Sequence, residues 1–307
     1  MLVLYYLNGN INRCEIKYTS ILTVIFLNIP KKGRIILKFF SNIKFLSQLT
    51  INNIKQYFIK SESIKSDEIT ENSINWFGHA TAVINLSNKI IITDPVFSSL
   101  IGYFKRTVKK PIYINNLKVD YILLSHGHMD HLNFPSLIKL NKDAIIIVPK
   151  GYFHIAKLLG FKNVFLLHPG DVYEDSFVKI TAYEADHDGR RFYIGHDNES
   201  ISYLIESESK SVFFAGDTAL TNNFKDINCD VALMPVGCYK PDRFSYMHCT
   251  PEQSYEMFKM MNCPVMIPIH YKTFRISLED FNETEETLLN LNDDSIKIID
   301  IGETYTF

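Results

Sequence analysis

A chain of 307 residues, 46% of them hydrophobic, can bury one large catalytic core with an extension, and two equal domains are not expected. Its net charge of -2 joins two unlike parts: residues 1–60 carry nine basic side chains against Glu15 alone, net +8, whereas the remaining 247 carry 23 basic and 33 acidic, net -10. That acidic remainder excludes a nucleic-acid substrate spread over the catalytic surface, and five cysteines (Cys14, Cys229, Cys238, Cys249, Cys263) without a C-x-x-C pair exclude a disulfide framework and a thiolate metal site.

A reducing, cytoplasmic setting follows from the cysteines. The longest early apolar run, Ile21 to Leu27, is far below the roughly 20 residues of a bilayer span, and no small-residue cleavage site follows it. Next, Ile35, Leu37, Phe39, Phe40, Ile43, Phe45 and Leu46 alternate with Arg34, Lys38 and Lys44, which predicts a basic amphipathic helix. Such a helix packs on the main domain or, in the sharper reading, makes peripheral contact with an anionic membrane through residues 31–46. The acidic, Ser-rich stretch Ser61 to Asn72 reads as a linker. Residues 1–70 are therefore an N-terminal extension with its linker, and 71–307 the main domain.

From there short β-rich runs end in polar or Gly-containing turns: Ser73 to Gly78, Ala82 to Leu86, Lys89 to Thr93, Tyr121 to Ser125, Ala144 to Val148, Val164 to Leu167, Phe177 to Tyr183, Ser200 to Ile205, Ser211 to Ala215, Val231 to Pro235 and Val265 to Ile269. Helical patterns fall over Asn133 to Lys142, Tyr152 to Leu159, Pro251 to Met261 and Ser277 to Leu289. This mixture predicts an α/β fold of two sheets packed face to face with helices outside. There is also an internal echo: Val119-Asp120-Tyr121-Ile122 and Cys229-Asp230-Val231-Ala232 each set an Asp at the mouth of an apolar strand, as two related halves would.

The run His126-x-His128-x-Asp130-His131 follows the apolar strand at Tyr121 and displays four potential metal ligands on one tight loop. Imidazole nitrogen and carboxylate oxygen are ligands zinc accepts at roughly 2.0 to 2.2 Å, and residues two apart on an extended loop can grip one ion together. Four ligands cannot complete two sites, so others must come from other strand ends. Asp217 closes Val212 to Gly216, His270 closes Pro264 to Ile269, and His187 follows the strand at Phe177; each is otherwise an ordinary polar strand terminus. A buried carboxylate such as Asp217 costs several kcal/mol unless it meets a cation.

With these residues in view, the chain resembles the metallo-β-lactamase superfamily, and within it the branch of N-acyl-phosphatidylethanolamine-hydrolysing phospholipase D and ascorbate-6-phosphate lactonase. Trp76-Phe77-Gly78-His79-Ala80-Thr81 is similar to that branch's W-x-G-H-A-T, and Thr93-Asp94-Pro95-Val96-Phe97-Ser98 to its T-D-P-x-F-S. Phe214-Ala215-Gly216-Asp217-Thr218, His248-x-x-Pro251-Glu252 and Ile269-His270-Tyr271-Lys272-Thr273-Phe274 are similar to its F-A-G-D-T, H-x-x-P-E-E and I-H-W-G-T-F. The resemblance implies an αβ/βα four-layer sandwich holding two zinc ions, one by His126, His128 and His187, the other by Asp130, His131 and His270, with Asp217 bridging. It implies that Asp94 orients a ligand imidazole from behind, that Asp130 and His248 are catalytic, and that His248 lies near the substrate's leaving or phosphoryl group. His248 also sits beside Thr250-Pro251-Glu252, which reads as a helix start, and for His79 a structural role in the first strand turn is open.

The departures cluster at the cleft mouth. Asp188-Gly189-Arg190-Arg191 follows His187, Tyr271 and Lys272 follow the last His, and Cys238 displaces an aromatic to Tyr239. A dinuclear centre can make a bridging hydroxide at neutral pH, with Arg190, Arg191 or His248 neutralising phosphate oxygens. The expected activity is a zinc phosphodiesterase of phospholipase D type acting on an N-acyl phospholipid or related amphiphile. The alternatives are a lactonase or carboxylic-ester hydrolase of a small phosphorylated metabolite, and a non-catalytic metal-binding module. Mn2+ or Fe2+ suits the same His/Asp cage. His154, His168 and His196 match no motif and are expected at the surface.

Overall fold

The computed structural model describes residues 31–61, 63–64, 66–111, 117–191 and 199–307, with side chains from residue 41 onward. The chain divides after Gln48 into two units, and the sandwich lies wholly in the second, Leu49–Phe307. The first helix, α1 (Lys31–Phe58), runs twelve residues beyond the predicted amphipathic stretch; the side chains of Ile35, Leu37, Phe39 and Phe40 lie outside the described residues. Among those residues no helix is long and apolar enough to cross a membrane.

One sheet contains β1 (Ser73–Gly78), β2 (Thr81–Leu86), β3 (Lys89–Thr93), β6 (Tyr121–Leu123), β7 (Ile145–Val148), β8 (Asn163–Leu166) and β15 (Thr304–Thr306), in the order β15-β1-β2-β3-β6-β7-β8. The other contains β9 (Val172–Glu174), β10 (Lys179–Glu184), β11 (Ile201–Glu206), β12 (Ser211–Phe214), β13 (Val231–Pro235) and β14 (Val265–Ile269), in the order β14-β13-β12-β11-β10-β9. A hairpin of β4 (Leu100–Ile101) and β5 (Phe104–Lys105) stands apart. In both sheets antiparallel pairing gives way to parallel pairing partway across, from β3 to β8 and from β12 to β14.

Alternation along each strand decides which face a side chain enters. Trp76, Ile84 and Leu123 point between the sheets and share a core with Tyr203, Phe213 and Leu233, whereas Phe77, Val83, Ile122 and Val148 point outward beneath α2 (Phe134–Leu137) and α3 (Phe153–Leu158). On the far side Met257 and Phe258 of α4 (Pro251–Lys259) and Leu288 of α5 (Phe281–Asn290) cover the second sheet. Each such side chain contributes about 1.5 to 3 kcal/mol on burial. The result is the four-layer αβ/βα sandwich.

Two local differences stand out. The helix expected over 133–142 is the single turn of α2, capped by Asn133; beyond it the chain goes on in tighter turns, with the Leu140 N–H and the Lys142 ammonium both on the Leu137 carbonyl, at 3.2 and 2.6 Å. The stretch read as a linker is pinned at Asp67, whose N–H donates to the Gly302 carbonyl at 2.9 Å. The internal echo has a structural meaning. Asp120 accepts the Ile90 N–H and Asp230 accepts the Ser211 N–H, at 2.9 and 2.8 Å, so each aspartate fastens its strand to the parallel neighbour that precedes it.

Candidate metal centre

The parallel strands of both sheets discharge their C-terminal ends at one edge, and that edge collects the polar residues. Asp94 follows β3, residues 126–131 follow β6, Asp217 follows β12, and His270 follows β14; His187 lies just beyond β10. His79, Asp94, Cys238 and His270 all have φ in the left-handed region, between 32° and 68°. Such conformations cost of order 1 to 3 kcal/mol each and collect where side-chain aim matters more than local comfort. Glycines permit the close approaches. A Cβ on Gly127 would stand 1.7 Å from Tyr152 Oη, and one on Gly237 would stand 2.1 Å from the His270 carbonyl oxygen.

Asp94 organises the 126–131 loop from beneath. Its carboxylate accepts the Ser125 N–H at 2.7 Å, the Ser125 hydroxyl at 2.5 Å and His131 Nδ1–H at 2.6 Å. Ser125 Oγ, having given its proton to Asp94, lies 2.9 Å from His126 Nδ1 and can accept that N–H. His187 is fixed in the same way by donating Nδ1–H to the Met247 carbonyl at 2.7 Å. These bonds occupy the Nδ1 positions, so Nε2 of His126, His131 and His187 faces inward.

What they face is a set of ligand atoms drawn from several strand ends. His126, His128, His187 and Asp217 each place one ligand atom within 4.8 Å of the others. Within that group His187 Nε2 lies 3.2 Å from His128 Nδ1, and His126 Nε2 lies 3.9 Å from Asp217 Oδ2. Beside it, His131 Nε2 and His270 Nε2 are 3.2 Å apart, 3.1 and 3.0 Å from the two oxygens of Asp217, and 3.6 and 3.8 Å from Asp130 Oδ2. A tetrahedral cation with ligands at about 2.1 Å separates them by about 3.4 Å, which these spacings bracket. His126 Nε2 is buried without a hydrogen-bond partner, and the Asp217 oxygens meet imidazole nitrogens, an arrangement a cation would complete. The donor set therefore fits two divalent cations sharing Asp217.

The charges agree. Burial, then the neighbouring imidazoles, depresses His126, and burial with His187 holds His128 down to about 4, so both are neutral ligands. Burial alone would lower His131 too, but Asp217, Asp130 and Asp94 outweigh it and raise the group to about 10; His270 is raised well above its ordinary value by Asp217 against the same burial. Protons therefore sit on His131 and His270 in the metal-free protein at neutral pH. Since a ligand nitrogen must lose its proton, metal uptake releases protons and affinity rises with pH. Adding Zn2+ to the metal-free protein at pH 7.5 in weak buffer should liberate about two protons per chain; an indicator dye reads it, and no release would contradict the pairing described.

Other residues singled out by sequence fall in different places. His248 lies at the cleft with Nδ1 3.8 Å from Asp217 Oδ2, and it stands two residues before the Thr250 cap, so the capping box of α4 is made by Thr250 and Gln253 without it. Arg190 pairs with Asp188 through Nε at 2.8 Å and Nη2 at 2.5 Å. Arg191 donates to the Gly127 and Leu132 carbonyls at 3.1 and 2.9 Å and covers the Phe134 ring, so it braces the ligand loop. His154 is exposed, His168 is exposed and paired with Glu199, and His196 lies outside the described residues.

Two participants were not placed by sequence reasoning. His79 Nε2 lies 2.9 Å from Asp130 Oδ2 with its ring 4.0 Å from that of His270, so the first strand turn supplies a partner for a ligand carboxylate; its place in Trp76-Phe77-Gly78-His79 was the available signal. Cys238 joins His248 and His270 in a cluster whose ligand atoms lie within 4.8 Å of one another, and no spacing pointed to it. A cleft of about 290 Å³ opens on the centre, with His128, Asp130, Asp217 and His248 on its polar side. A larger cavity of about 840 Å³, lined by Lys60, Lys272 and Arg275 among others, touches none of the ligands.

The fold and site have counterparts among known proteins. A family model described as "Beta-lactamase superfamily domain" matches residues 89–271. A "UPF0173 metal-dependent hydrolase" of Bacillus mycoides is 30% identical over 246 residues, covering 76% of this chain and 98% of the relative. Among solved structures, a metallo hydrolase from the archaeon Ignicoccus hospitalis superposes with a TM-score of 0.59 at 22% identity, over 76% of this chain and 97% of that one. An isothiocyanate hydrolase from Delia radicum gut bacteria superposes with a TM-score of 0.63 at 19% identity, over 76% and 99%.

Proposed function

Since the chain belongs to the metallo-β-lactamase superfamily, we propose that it is a metal-dependent hydrolase of the phospholipase D-type branch, cleaving a phosphodiester in an N-acyl phospholipid or related amphiphile. The observation that carries this reading is the mixed lining of the cleft. Beside His128, Asp130, Asp217 and His248 it is lined by Ile101, Phe104, Met129, Phe244, Met247 and Ile276. Such apolar lining receives an acyl or alkyl chain while the polar groups hold the head group.

His126, His128 and His187 would hold one cation and Asp130, His131 and His270 the other, with Asp217 between them; zinc fits the nitrogen-rich set, and manganese or iron the same cage. Bound there, two divalent cations supply a nucleophile from water near neutral pH and positive charge for a developing oxyanion. The chain's own groups do the rest. Asp94 and Ser125 keep His131 and His126 aimed, His79 holds Asp130, and the ring of His248 faces the substrate, where an N–H can steady a phosphoryl or leaving-group oxygen.

One observation favours a second reading, a lactonase or carboxylic-ester hydrolase. Among the described residues the cleft lining includes no lysine or arginine, and Arg190 and Arg191 are engaged elsewhere. The zinc-loaded enzyme should be offered an N-acyl phosphatidylethanolamine, a model phosphodiester, a lactone and a thioester in parallel. Release of phosphatidic acid or of the phosphodiester's alcohol is the expected result. Turnover confined to the lactone or thioester would replace the first reading by the second.

A further inference from the structure

The last turns of α1 are apolar on the side turned away from the sandwich. The side that packs on the sandwich carries Leu49, Asn53 and Gln56, only 3%, 1% and 5% exposed, with Asn53 Nδ2 donating to the carbonyls of Leu49 and Arg275 at 2.9 and 2.8 Å. At 3.6 residues per turn, Ile51, Ile54 and Phe58 project from the opposite side, and they are 51%, 53% and 87% exposed. A helix whose only partner was the sandwich would place these residues the other way round.

The exposed apolar side continues toward the metal centre. Tyr57 Oη donates to the Tyr103 carbonyl at 2.9 Å, at the tip of the β4–β5 hairpin. Leu100 and Tyr103 of that hairpin are exposed, while its other residues Ile101 and Phe104 form the apolar wall of the cleft. The two segments that form it are also basic. Segments 49–60 and 100–110 contain Lys55, Lys60, Lys105, Lys109 and Lys110 and no acidic residue, although the chain beyond residue 60 is acidic as a whole. Apolar exposure bordered by lysines suits the headgroup region of an anionic bilayer.

We propose that this surface, Ile51, Ile54 and Phe58 with Leu100 and Tyr103, docks on an anionic lipid bilayer and sets the cleft mouth at the membrane. It rests on the reading of the substrate as an amphiphile, which then reaches the centre along Ile101 and Phe104 without crossing water. Lys55 meets the lipid phosphates, and the buried Asn53 keeps the helix turned so that its apolar side faces out.

The full-length protein is tested by sedimentation with vesicles of phosphatidylcholine, with and without phosphatidylglycerol, in the absence of turnover. Binding to the phosphatidylglycerol vesicles, weakened by salt and reduced about tenfold or more in an Ile54→Asp/Phe58→Asp double variant, is the expected result. Tyr103→Asp, on the other element, should weaken binding in the same way, while hydrolysis of a soluble substrate is unchanged in all three proteins. Failure of the wild type to sediment, or equal binding by the variants, overturns the docking surface. So does a concentration-dependent dimer that the double variant abolishes, since the partner would then be a second copy. Vesicle binding without hydrolysis of any lipid would leave the docking face standing and remove the proposed activity alone.

Discussion

Asp217→Ala is expected to lower turnover by at least two orders of magnitude and to leave the far-UV circular dichroism unchanged. The carboxylate lies 3.0 Å from His270, 3.1 Å from His131 and 3.9 Å from His126, so it reaches ligand groups in both halves of the centre. Even partners one step behind a metal ligand cost 10- to 100-fold when lost, and a shared ligand should cost more. The fold survives because the inter-sheet core of Trp76, Tyr203, Phe213 and Leu233 does not depend on it. Initial rates with a model phosphodiester check the prediction, and activity within a few-fold of wild type would show that Asp217 does not join the two halves.

Among the described glycines, Gly237→Ala should be the most damaging single-methyl change. The added Cβ would stand 2.1 Å from the His270 carbonyl oxygen, and that neighbour is backbone, unable to swing aside as the end of a side chain could. The turn after β13 must then part from the turn after β14, and His270 moves with it. Overpacking of this kind costs about 1 to 3 kcal/mol, toward the upper end where backbone must shift. A lower melting temperature together with weaker binding of the second cation is expected; unchanged values for both would show that the turns are not pressed together.

Much of this arrangement is legible in the sequence because its signals are local. An apolar run of four or more residues ending in His or Asp is readable even where, as at β6, only three of them pair in the sheet, and this located 126–131, Asp217 and His270 at the ends of β6, β12 and β14. Strands of two or three residues, such as β4, β5, β9 and β15, have too few alternations to stand out from loop. The fate of Arg190 and Arg191 depends on which carbonyls and carboxylates surround a folded loop, which charge and spacing do not encode. The outward apolar side of α1 is hidden for a stronger reason. Asn53 is drawn inward by the carbonyl of Arg275, 222 residues away, and the surface left outside is one that a helix-by-helix reading assigns to the core.

The account stands on a pair of cations sharing Asp217. Metal analysis of the purified wild type and of Asp217→Ala, after dialysis against trace Zn2+, tests that most directly. Two metal ions per chain in the wild type and fewer than one in the variant are expected from the two ligand clusters. Equal metal content in the two proteins, or a wild type that retains none, would contradict it.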